Sequence, residues 1–196
     1  KKMGVINLTT NDSLEFLDVV SYKFSGSGSY IAMKRQKSKS NTLIVKNLGT
    51  GLEVTFGNVK EYVWQDNGTL LAMLINTADK VGNGIQLYNP TTGNLKVLDQ
   101  KDEVYAGLRW RKKSGDLFVT RKNIDKKYKV SSNDLLYWKD LNSNFSFNIF
   151  NQSNFSNFPK DTKINNRSIR FSDDGNIVYF NTEYRKPKPN KKNKEK

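Results

Sequence analysis

Short apolar stretches, separated by turns rich in glycine and asparagine, run along the whole chain. Before four of these turns, apolar residues occupy every second position, at Tyr22/Phe24, Tyr62/Trp64, Leu108/Trp110 and Ile169/Phe171. Successive side chains of a β-strand point to opposite faces, so a period of two places one set of side chains on a single face. Each stretch therefore predicts a strand that buries one face.

The turn that follows each strand belongs to a longer repeated unit. In every copy an aromatic residue is followed, four or five residues later, by a glycine and then by an apolar pair. The four copies are Phe24–Ala32, Trp64–Ala72, Trp110–Phe118 and Phe171–Tyr179. Their turn glycines, Gly28, Gly68, Gly115 and Gly175, are 40, 47 and 60 residues apart. Units of about 40–45 residues built from strand, turn and strand are typical of β-propeller blades.

Two of these turns contain the sequences Asp-Asn-Gly68 and Asp-Asp-Gly175. Such sequences suit a type I turn that is closed by a glycine in the left-handed conformation, because glycine adopts positive φ without steric cost. We therefore expect positive φ at both glycines.

A second turn motif lies between the repeated units. It reads Asn47-Leu-Gly-Thr-Gly51 in one copy and Asn89-Pro-Thr-Thr-Gly93 in the other, each between two strand-like stretches. The closing glycines are 42 residues apart, in step with the first motif. Each full unit thus contains four strands. The chain is predicted to be all-β, with about three to four β-propeller blades of four antiparallel strands that form an incomplete propeller segment.

The same pattern predicts the domain organisation. Residues 1–184 form a partial β-propeller, and residues 185–196 form a lysine-rich tail or loop. The predicted blades start near Tyr22, Tyr62, Leu108 and Ile169. The stretch Leu14–Val20 is expected to be one closing strand of a further blade. Because known closed propellers have 4–8 blades, we expect the chain to be a piece of a larger protein.

The third unit is interrupted by residues 142–158, a stretch rich in Asn, Ser and Phe that we interpret as an insertion. Its phenylalanines either pack on their own blade or form a projecting binding loop, and packing is the favoured alternative. The repeated aromatic positions Phe24, Trp64, Trp110 and Phe171 could stack bases or sugars. Because they recur at the same place in every unit, core packing between blades is favoured for them.

Composition excludes several classes of chemistry. The chain has no histidine and no cysteine, so it can form neither a Ser-His-Asp triad nor a disulfide, and the common zinc sites are excluded as well. No paired carboxylates stand in a distinctive motif. We therefore predict no catalytic, cofactor-binding or metal-binding residue and no cofactor.

The net charge of +14 is unevenly distributed. Residues 185–196 hold seven positive charges and one negative charge. A lysine-rich run of this kind is usually a solvated surface, and arginine, the preferred reader of base edges, is scarce beside lysine. No apolar run approaches the ~20 residues of a membrane helix. We expect neither nucleic acid nor a membrane as partner.

The repeated units resemble the TolB-like (WD40-like) propeller repeats found in the N-terminal propeller of prolyl-oligopeptidase-like serine peptidases. The stretches Tyr62–Ala72, Asn83–Gly93 and Gly107–Leu117 are similar to large exported peptidases of that family in Bacteroides-like bacteria. The resemblance covers roughly residues 8–130 and 164–184.

The resemblance implies a propeller that sits over an α/β-hydrolase domain and restricts the entry of peptides. In that family the catalytic serine lies in a Gly-x-Ser-x-Gly turn of the other domain. This chain contains no such sequence. No catalytic residue can be carried over, the substrate-binding residues are unknown, and any peptide substrate would be processed through a hydrolase domain absent from this chain.

The resemblance also implies a periplasmic or exported protein of a Gram-negative bacterium, with a cytoplasmic location as the alternative. A different functional class stays open, in which a TolB-like propeller module binds a protein partner. In either case the open edges of an incomplete propeller invite association. We expect the segment to dimerise through these edges or to swap strands.

Overall fold

The computed structural model describes residues 2–37, 40–155, 157–165 and 169–188 of the chain. Every regular element among these residues is a β-strand. The contacts divide the chain into two compact units. The first comprises Lys1–Asp102 with Lys112–Ser114, and the second comprises Glu103–Arg111 with Gly115–Lys196.

The first unit contains one hairpin and two four-stranded antiparallel sheets. The hairpin pairs β1 (Lys2–Ile6) with β2 (Ser13–Leu17). The first sheet has the order β3 (Val19–Phe24), β4 (Tyr30–Lys37), β5 (Ser40–Asn47) and β6 (Glu53–Gly57). The second sheet contains, again as neighbours in chain order, β7 (Val59–Trp64), β8 (Leu71–Ile75), β9 (Gly84–Asn89) and β10 (Asn94–Gln100).

The second unit repeats this sheet once and adds two short two-stranded sheets. Its four-stranded sheet contains β11 (Tyr105–Trp110), β12 (Leu117–Asn123), β13 (Ser132–Lys139) and β14 (Ser146–Phe150). The remaining strands are β15 (Thr162–Ile164), β16 (Arg170–Phe171), β17 (Val178–Tyr179) and β18 (Thr182–Tyr184). Among them β15 pairs with β18 and β16 pairs with β17.

The three four-stranded sheets confirm the predicted fold class. In each sheet consecutive strands are antiparallel neighbours, which is the strand content and order of a propeller blade. The first strand of each sheet carries a register shift close to its start, after Val19, Val59 and Ala106. Extra residues in one strand of an antiparallel pair bend that strand and increase its twist. The chain is thus an all-β, incomplete β-propeller segment.

One predicted strand is divided in the structure. The prediction of a single strand over Leu14–Val20 is wrong, because Asp18 adopts φ of +60° and separates β2 from β3. Asn58, with φ of +57°, separates β6 from β7 in the same way. A left-handed residue turns the chain sharply, and among residues other than glycine the short polar side chains of Asp and Asn tolerate this conformation best. A single residue therefore connects consecutive sheets at both places.

The prediction for the two turn glycines is confirmed at Gly175, which has φ of +73°, and is wrong at Gly68. Gly68 is not among the glycines with positive φ. It is constrained by space instead, because a Cβ atom there would lie 2.2 Å from Oε1 of Gln65. An added Cβ would meet a side chain at both turns, since Nε of Arg111 would lie 2.8 Å from it at Gly175, and only Gly175 also has the positive φ.

The asparagine turn occurs a third time, between β1 and β2. The three copies are Asn7–Asn11, Asn47–Gly51 and Asn89–Gly93. In each copy the side-chain Oδ1 of the asparagine accepts a backbone N–H from a residue two or three positions ahead. The residue four positions ahead donates its backbone N–H to the carbonyl oxygen of the asparagine. Gly51 and Gly93 adopt φ of +78° and +74°, and Asn11 adopts +62°. The first copy lacks the Thr-Gly sequence that signals the other two, so the sequence analysis missed it.

The phenylalanine-rich stretch 142–158 contributes β14, the outer strand of the third sheet. Phe147 stacks on Trp138 at 4.9 Å between ring centroids, and Phe150 contacts Phe155 and Phe158. These rings pack within their own unit, as the favoured alternative has it. The predicted limits of propeller, insertion and tail stay predictions, and residues 156 and 189–196 lie outside the described residues.

The repeated aromatic positions divide into buried and exposed members. Trp64 and Trp110 are buried, and Phe171 packs in a cluster with Phe118 and Tyr137. Phe24 differs, with 49% of its surface exposed. Three of the four positions thus belong to the core, and the exception lies on β3.

Candidate functional site

Buried charge is concentrated in the second unit. Among the described residues, the buried charged side chains are Asp116, Arg121, Asp134 and Arg185, and all four belong to that unit. Burying an unpaired charge is costly, so each such group has to be held by partners or serve a function. The three clusters that contain these residues are therefore the candidate sites.

The first cluster surrounds Asp116, which the turn between β11 and β12 positions directly before β12. Its Oδ2 atom accepts hydrogen bonds from Nε of Arg111 at 2.8 Å and from the hydroxyl of Tyr137 at 3.1 Å. Its Oδ1 atom accepts the backbone N–H of Asp140 at 3.0 Å. Arg111 also donates to the carbonyl oxygen of Asp173 at 2.5 Å. The carboxylate thus ties three separate parts of the second unit together.

This environment shifts the titration of Tyr137. Burial, together with the negative charge and the hydrogen bond of Asp116, raises the pKa of Tyr137 to about 12. All three causes disfavour the phenolate, because a buried anion loses hydration, is repelled by the carboxylate and can no longer donate the hydrogen bond. The phenol therefore remains protonated at neutral pH. It acts as a hydrogen-bond donor and is unsuited to the role of a general base.

The second cluster crosses from β12 to β13. Arg121 lies directly opposite Asp134 in the strand register, and its Nη2 atom is 3.1 Å from Oδ2 of Asp134. Asn123 donates from Nδ2 to Oδ1 of the same carboxylate at 2.7 Å. Both charged side chains are buried. A buried pair with added hydrogen bonds of this kind is an internal structural contact, because neither charge faces solvent.

The third cluster places Arg185 over the ring of Tyr128. The guanidinium carbon lies 3.6 Å from the ring centroid, which is the geometry of a cation–π contact. Nη2 donates to Oε1 of Gln152 at 2.6 Å and is 3.6 Å from Oδ2 of Asp125. The Nε and Nη1 atoms are buried and have no hydrogen-bond partner among the described residues. The hydroxyl of Tyr128 donates to Asp161 at 2.8 Å, and this bond raises the pKa of Tyr128.

Arg185 is also the first residue of the segment that the sequence analysis assigned to a lysine-rich tail. It is only 3% exposed. The backbone of the next residues pairs with residues 127–129, through Lys129 to Lys186 at 3.2 Å and Lys188 to Lys127 at 2.8 Å. The described part of this segment, residues 185–188, is therefore packed within the second unit, against residues 127–129.

None of the three clusters contains a set of groups suited to catalysis. Ser172 hydrogen-bonds to Asp174 on an exposed turn, but the chain has no histidine to act as base. Within the described ranges, no group of three acidic residues could hold a metal ion. In the same ranges no helix is long and apolar enough to cross a membrane. What these clusters do is cross-link strands and turns.

The sequence predicts no catalytic, cofactor-binding or metal-binding residue and leaves the substrate-binding residues unknown, and these expectations stay predictions. None of the three buried clusters was predicted from the sequence. Arg111 and Asp116 are close in sequence, so the opposite charges on the two sides of this turn could have indicated the first cluster. Arg121 and Asp134 become neighbours only through the strand register, and no local pattern reveals that.

Comparisons with known proteins bear on the fold. No protein-family model matches the chain, and no curated protein matches it either. Among solved structures, a chain of hydrazine synthase from Kuenenia stuttgartiensis is similar over 91% of this chain and 55% of its own length, at 12% identity and a TM-score of 0.51. At this level of identity the similarity supports the fold and carries no information on activity.

Two similar structures come from archaeal peptidases. The β-propeller domain of the Trilobed protease from Pyrococcus furiosus, described as having an open velcro topology, matches 74% of this chain and 44% of its own chain, at 12% identity and a TM-score of 0.47. An acylaminoacyl peptidase from Pyrococcus horikoshii matches 77% of this chain and 28% of its own, at 16% identity and a TM-score of 0.48. The chain thus spans less than half the length of either peptidase chain.

Proposed function

We propose that this chain is the non-catalytic β-propeller segment of a prolyl-oligopeptidase-like serine peptidase. In this role the segment is a scaffold and a gate that restricts which peptides reach a catalytic domain. Hydrolysis of the peptide bond would be carried out by a serine of that other domain.

The observation that carries the proposal is the ordered set of four aromatic–turn–apolar units, which resembles the repeats of that family. Three of these units lie in four-stranded, blade-like sheets, which is consistent with the proposal. The chain also lacks histidine, as expected for a segment that leaves the chemistry to another domain. Fold alone does not decide function, so the peptidase assignment rests on the sequence resemblance.

Rigid blades suit a gate, because an opening of fixed size admits only chains that are short or extended. In the second unit the hydrogen bonds and ion pairs of Asp116 and Asp134 join β12 to neighbouring turns and strands. Such buried contacts oppose local opening of the sheet. We infer that these clusters serve the scaffold and do not contact a substrate.

The location is part of the proposal. A periplasmic or exported protein of a Gram-negative, Bacteroides-like bacterium is the location that the resemblance suggests. Fractionation of the native source, followed by detection with an antibody against this segment, tests it. Recovery with the cytoplasmic proteins would contradict the exported location and leave the peptidase proposal intact.

A fluorophosphonate probe, which labels activated serines, tests the function. We expect the full-length polypeptide that contains this segment to be labelled and the segment alone to remain unlabelled. Replacing the serine of a Gly-x-Ser-x-Gly turn in the full-length polypeptide should abolish the labelling. A folded full-length protein that takes up no probe would overturn the proposal and favour a TolB-like module for protein–protein binding.

A further inference from the structure

Strand β3 exposes apolar residues that its counterpart covers. Two residues of β3, Tyr22 and Phe24, are 53% and 49% exposed. Their equivalents in the next sheet are Tyr62, which is partly buried, and Trp64, which is 5% exposed. The two strands occupy the same place in sheets of the same strand order. The difference is therefore in what lies against them.

Strand β4 shows what covers β7. The ring of Tyr30 stacks on Trp64 with 6.4 Å between centroids and 29° between planes. Ala32, two residues further along β4, belongs to the same buried cluster as Trp64. The second strand of one sheet thus covers the aromatic face of the first strand of the next.

Strand β17 and the residue directly before it expose the side chains that would make the same contact. Ile177 and Tyr179 follow Gly175 by two and four residues, as Tyr30 and Ala32 follow Gly28. They are 53% and 57% exposed. The hairpins correspond as well, because Phe171 pairs with Val178 as Phe24 pairs with Ile31. Strand β17 is therefore the equivalent of β4, with its outward face uncovered.

Among the described residues, β17 and β1 each have a paired strand on one side only, and the two unpaired sides are complementary. Within the described ranges β17 pairs only with β16, and β1 pairs only with β2. The β1–β2 hairpin carries the asparagine turn of the β5–β6 hairpin, with Asn7 in the place of Asn47. The β16–β17 hairpin is thus equivalent to the first half of a sheet, and the β1–β2 hairpin to the second half.

A groove of about 670 Å³ is lined by the start of β1, whose only strand partner among the described residues is β2, and by Val19–Tyr22 of β3. A strand seated there would pair with β1 and lie over the exposed face of β3. Unpaired strand edges beside apolar surface are sites where another strand adds to a sheet.

We infer that β17 of one copy of this chain pairs with β1 of a second copy. The two hairpins together form one four-stranded antiparallel sheet in the order β16, β17, β1, β2. Ile177 and Tyr179 of the first copy then cover Tyr22 and Phe24 of the second copy. This inference concerns the edges of the 196-residue chain by itself, so its experiments use that chain and its failure would leave the peptidase proposal intact.

The β4–β5 register specifies the pairing. There Tyr30 is opposite Asn47 and Ala32 is opposite Val45. When Gly175 is aligned with Gly28 and Asn7 with Asn47, the same register places Ile177 opposite Asn7 and Tyr179 opposite Val5. Opposite residues share one face of a sheet.

The side chains agree with this register. Val5 packs against a buried cluster that includes Val19 of β3 and Ile31 of β4. Tyr179 has to lie on this same side of the sheet in order to cover β3. Val178 packs against its own unit, and its predicted partner Ile6 is exposed. A shift by one residue would place both pairs on the wrong faces.

The association is head-to-tail, because β1 and β17 are different surfaces. Heterologous contacts of this kind form open chains or rings, and symmetric dimers are not expected from them. The mean mass measured by analytical ultracentrifugation should therefore rise with concentration beyond that of a dimer. Ile177→Glu should weaken the association by roughly tenfold or more, because a buried isoleucine is replaced by a charge. Ile124→Glu, at a residue of similar exposure outside the interface, is the matched control.

Disulfide trapping tests the register in a chain that has no cysteine of its own. The variants Val5→Cys and Tyr179→Cys are purified separately, mixed and oxidised. Directly opposite residues are about 4.5–5.5 Å apart between Cα atoms, within reach of a disulfide. We expect a cross-linked heterodimer from this mixture and its loss when Ile6→Cys replaces Val5→Cys, because the thiols then lie on opposite faces.

Each result decides the inference. Cross-linking in the Val5 mixture but not in the Ile6 mixture supports a second copy in the predicted register. Equal cross-linking in both mixtures, or a monomer at all concentrations with no cross-link, overturns it. The double variant Val5→Cys/Tyr179→Cys is informative as well, since a disulfide within a single chain would show that the second copy is not the occupant.

Discussion

The indole N–H of Trp64 donates a 3.0 Å hydrogen bond to the backbone carbonyl oxygen of Lys23, 41 residues earlier in the chain. The bond joins β7 to β3 of the preceding sheet while the ring stacks on Tyr30. Phenylalanine occupies the equivalent positions 24 and 171 and offers no such donor. Trp64 thus adds a directional bond to a position that otherwise contributes only apolar surface.

Replacing Trp64 with phenylalanine should lower the free energy of unfolding by about 1–3 kcal/mol. The substitution leaves the carbonyl of Lys23 without this donor and leaves a gap beside Tyr30. Urea denaturation, monitored by circular dichroism, measures the decrease in the free energy of unfolding. Trp138→Phe, at a buried tryptophan that stacks on Phe147, is the matched control for lost volume. A smaller loss at Trp64 than at Trp138 would contradict a role for the hydrogen bond.

The asparagine turn makes a prediction about backbone conformation alone. A Cβ atom at Gly51 meets open space, but the residue has φ of +78°. Gly51→Ala should therefore destabilise the protein by about 1–2 kcal/mol through strain. Gly57→Ala is the control at the other end of β6, because Gly57 also faces open space and is not among the glycines with positive φ. Equal stability of the two variants in urea would show that the turn tolerates the strain.

Alkaline stability should depend on Tyr137. Its pKa is raised to about 12 in the folded state, above the ordinary value of 10. A group with a raised folded pKa contributes stability that is fully present below its unfolded pKa and is lost as pH rises toward the folded pKa. The wild type should therefore lose stability between about pH 10 and pH 12, and Tyr137→Phe should lose less in that window.

Urea denaturation at several pH values measures this dependence. The comparison variant is Tyr184→Phe, which removes an exposed phenol from the same unit. At neutral pH Tyr137→Phe should cost about 0.5–1.5 kcal/mol, because Asp116 loses one of its donors. An unchanged slope in Tyr137→Phe would contradict the assignment of the alkaline loss to this residue.

The buried pair of Arg121 and Asp134 should respond differently to single and double substitution. Asp134→Leu alone leaves the Arg121 charge buried without this partner and should cost about 3–5 kcal/mol. The double variant Arg121→Met/Asp134→Leu should recover most of that loss, since apolar groups of similar volume replace both charges. Thermal or urea unfolding of the wild type, Arg121→Met, Asp134→Leu and the double variant gives the coupling energy. Additive losses would show that the two side chains act independently.

The period of two before each turn and the spacing of the turns were sufficient to predict an all-β chain of four-stranded blades, because both depend on residues that are neighbours in sequence. The same local reasoning succeeded at Gly175. It failed at Gly68, where the constraint is the side chain of Gln65. It also missed the first asparagine turn, where Asn11 takes the conformation that glycine adopts in the other two copies.

Most strands, most of their turns and the absence of histidine and cysteine chemistry follow from residue types and short-range spacing, and they could be predicted without a structure. Which residues share a buried cluster does not follow from local patterns. The contact of Asp134 with Arg121 depends on the strand register, and the covering of Trp64 but not of Phe24 depends on which sheet packs next to each. Register and packing are set by residues far apart along the chain, and the exposed faces of β3 and β17 therefore became visible only in three dimensions.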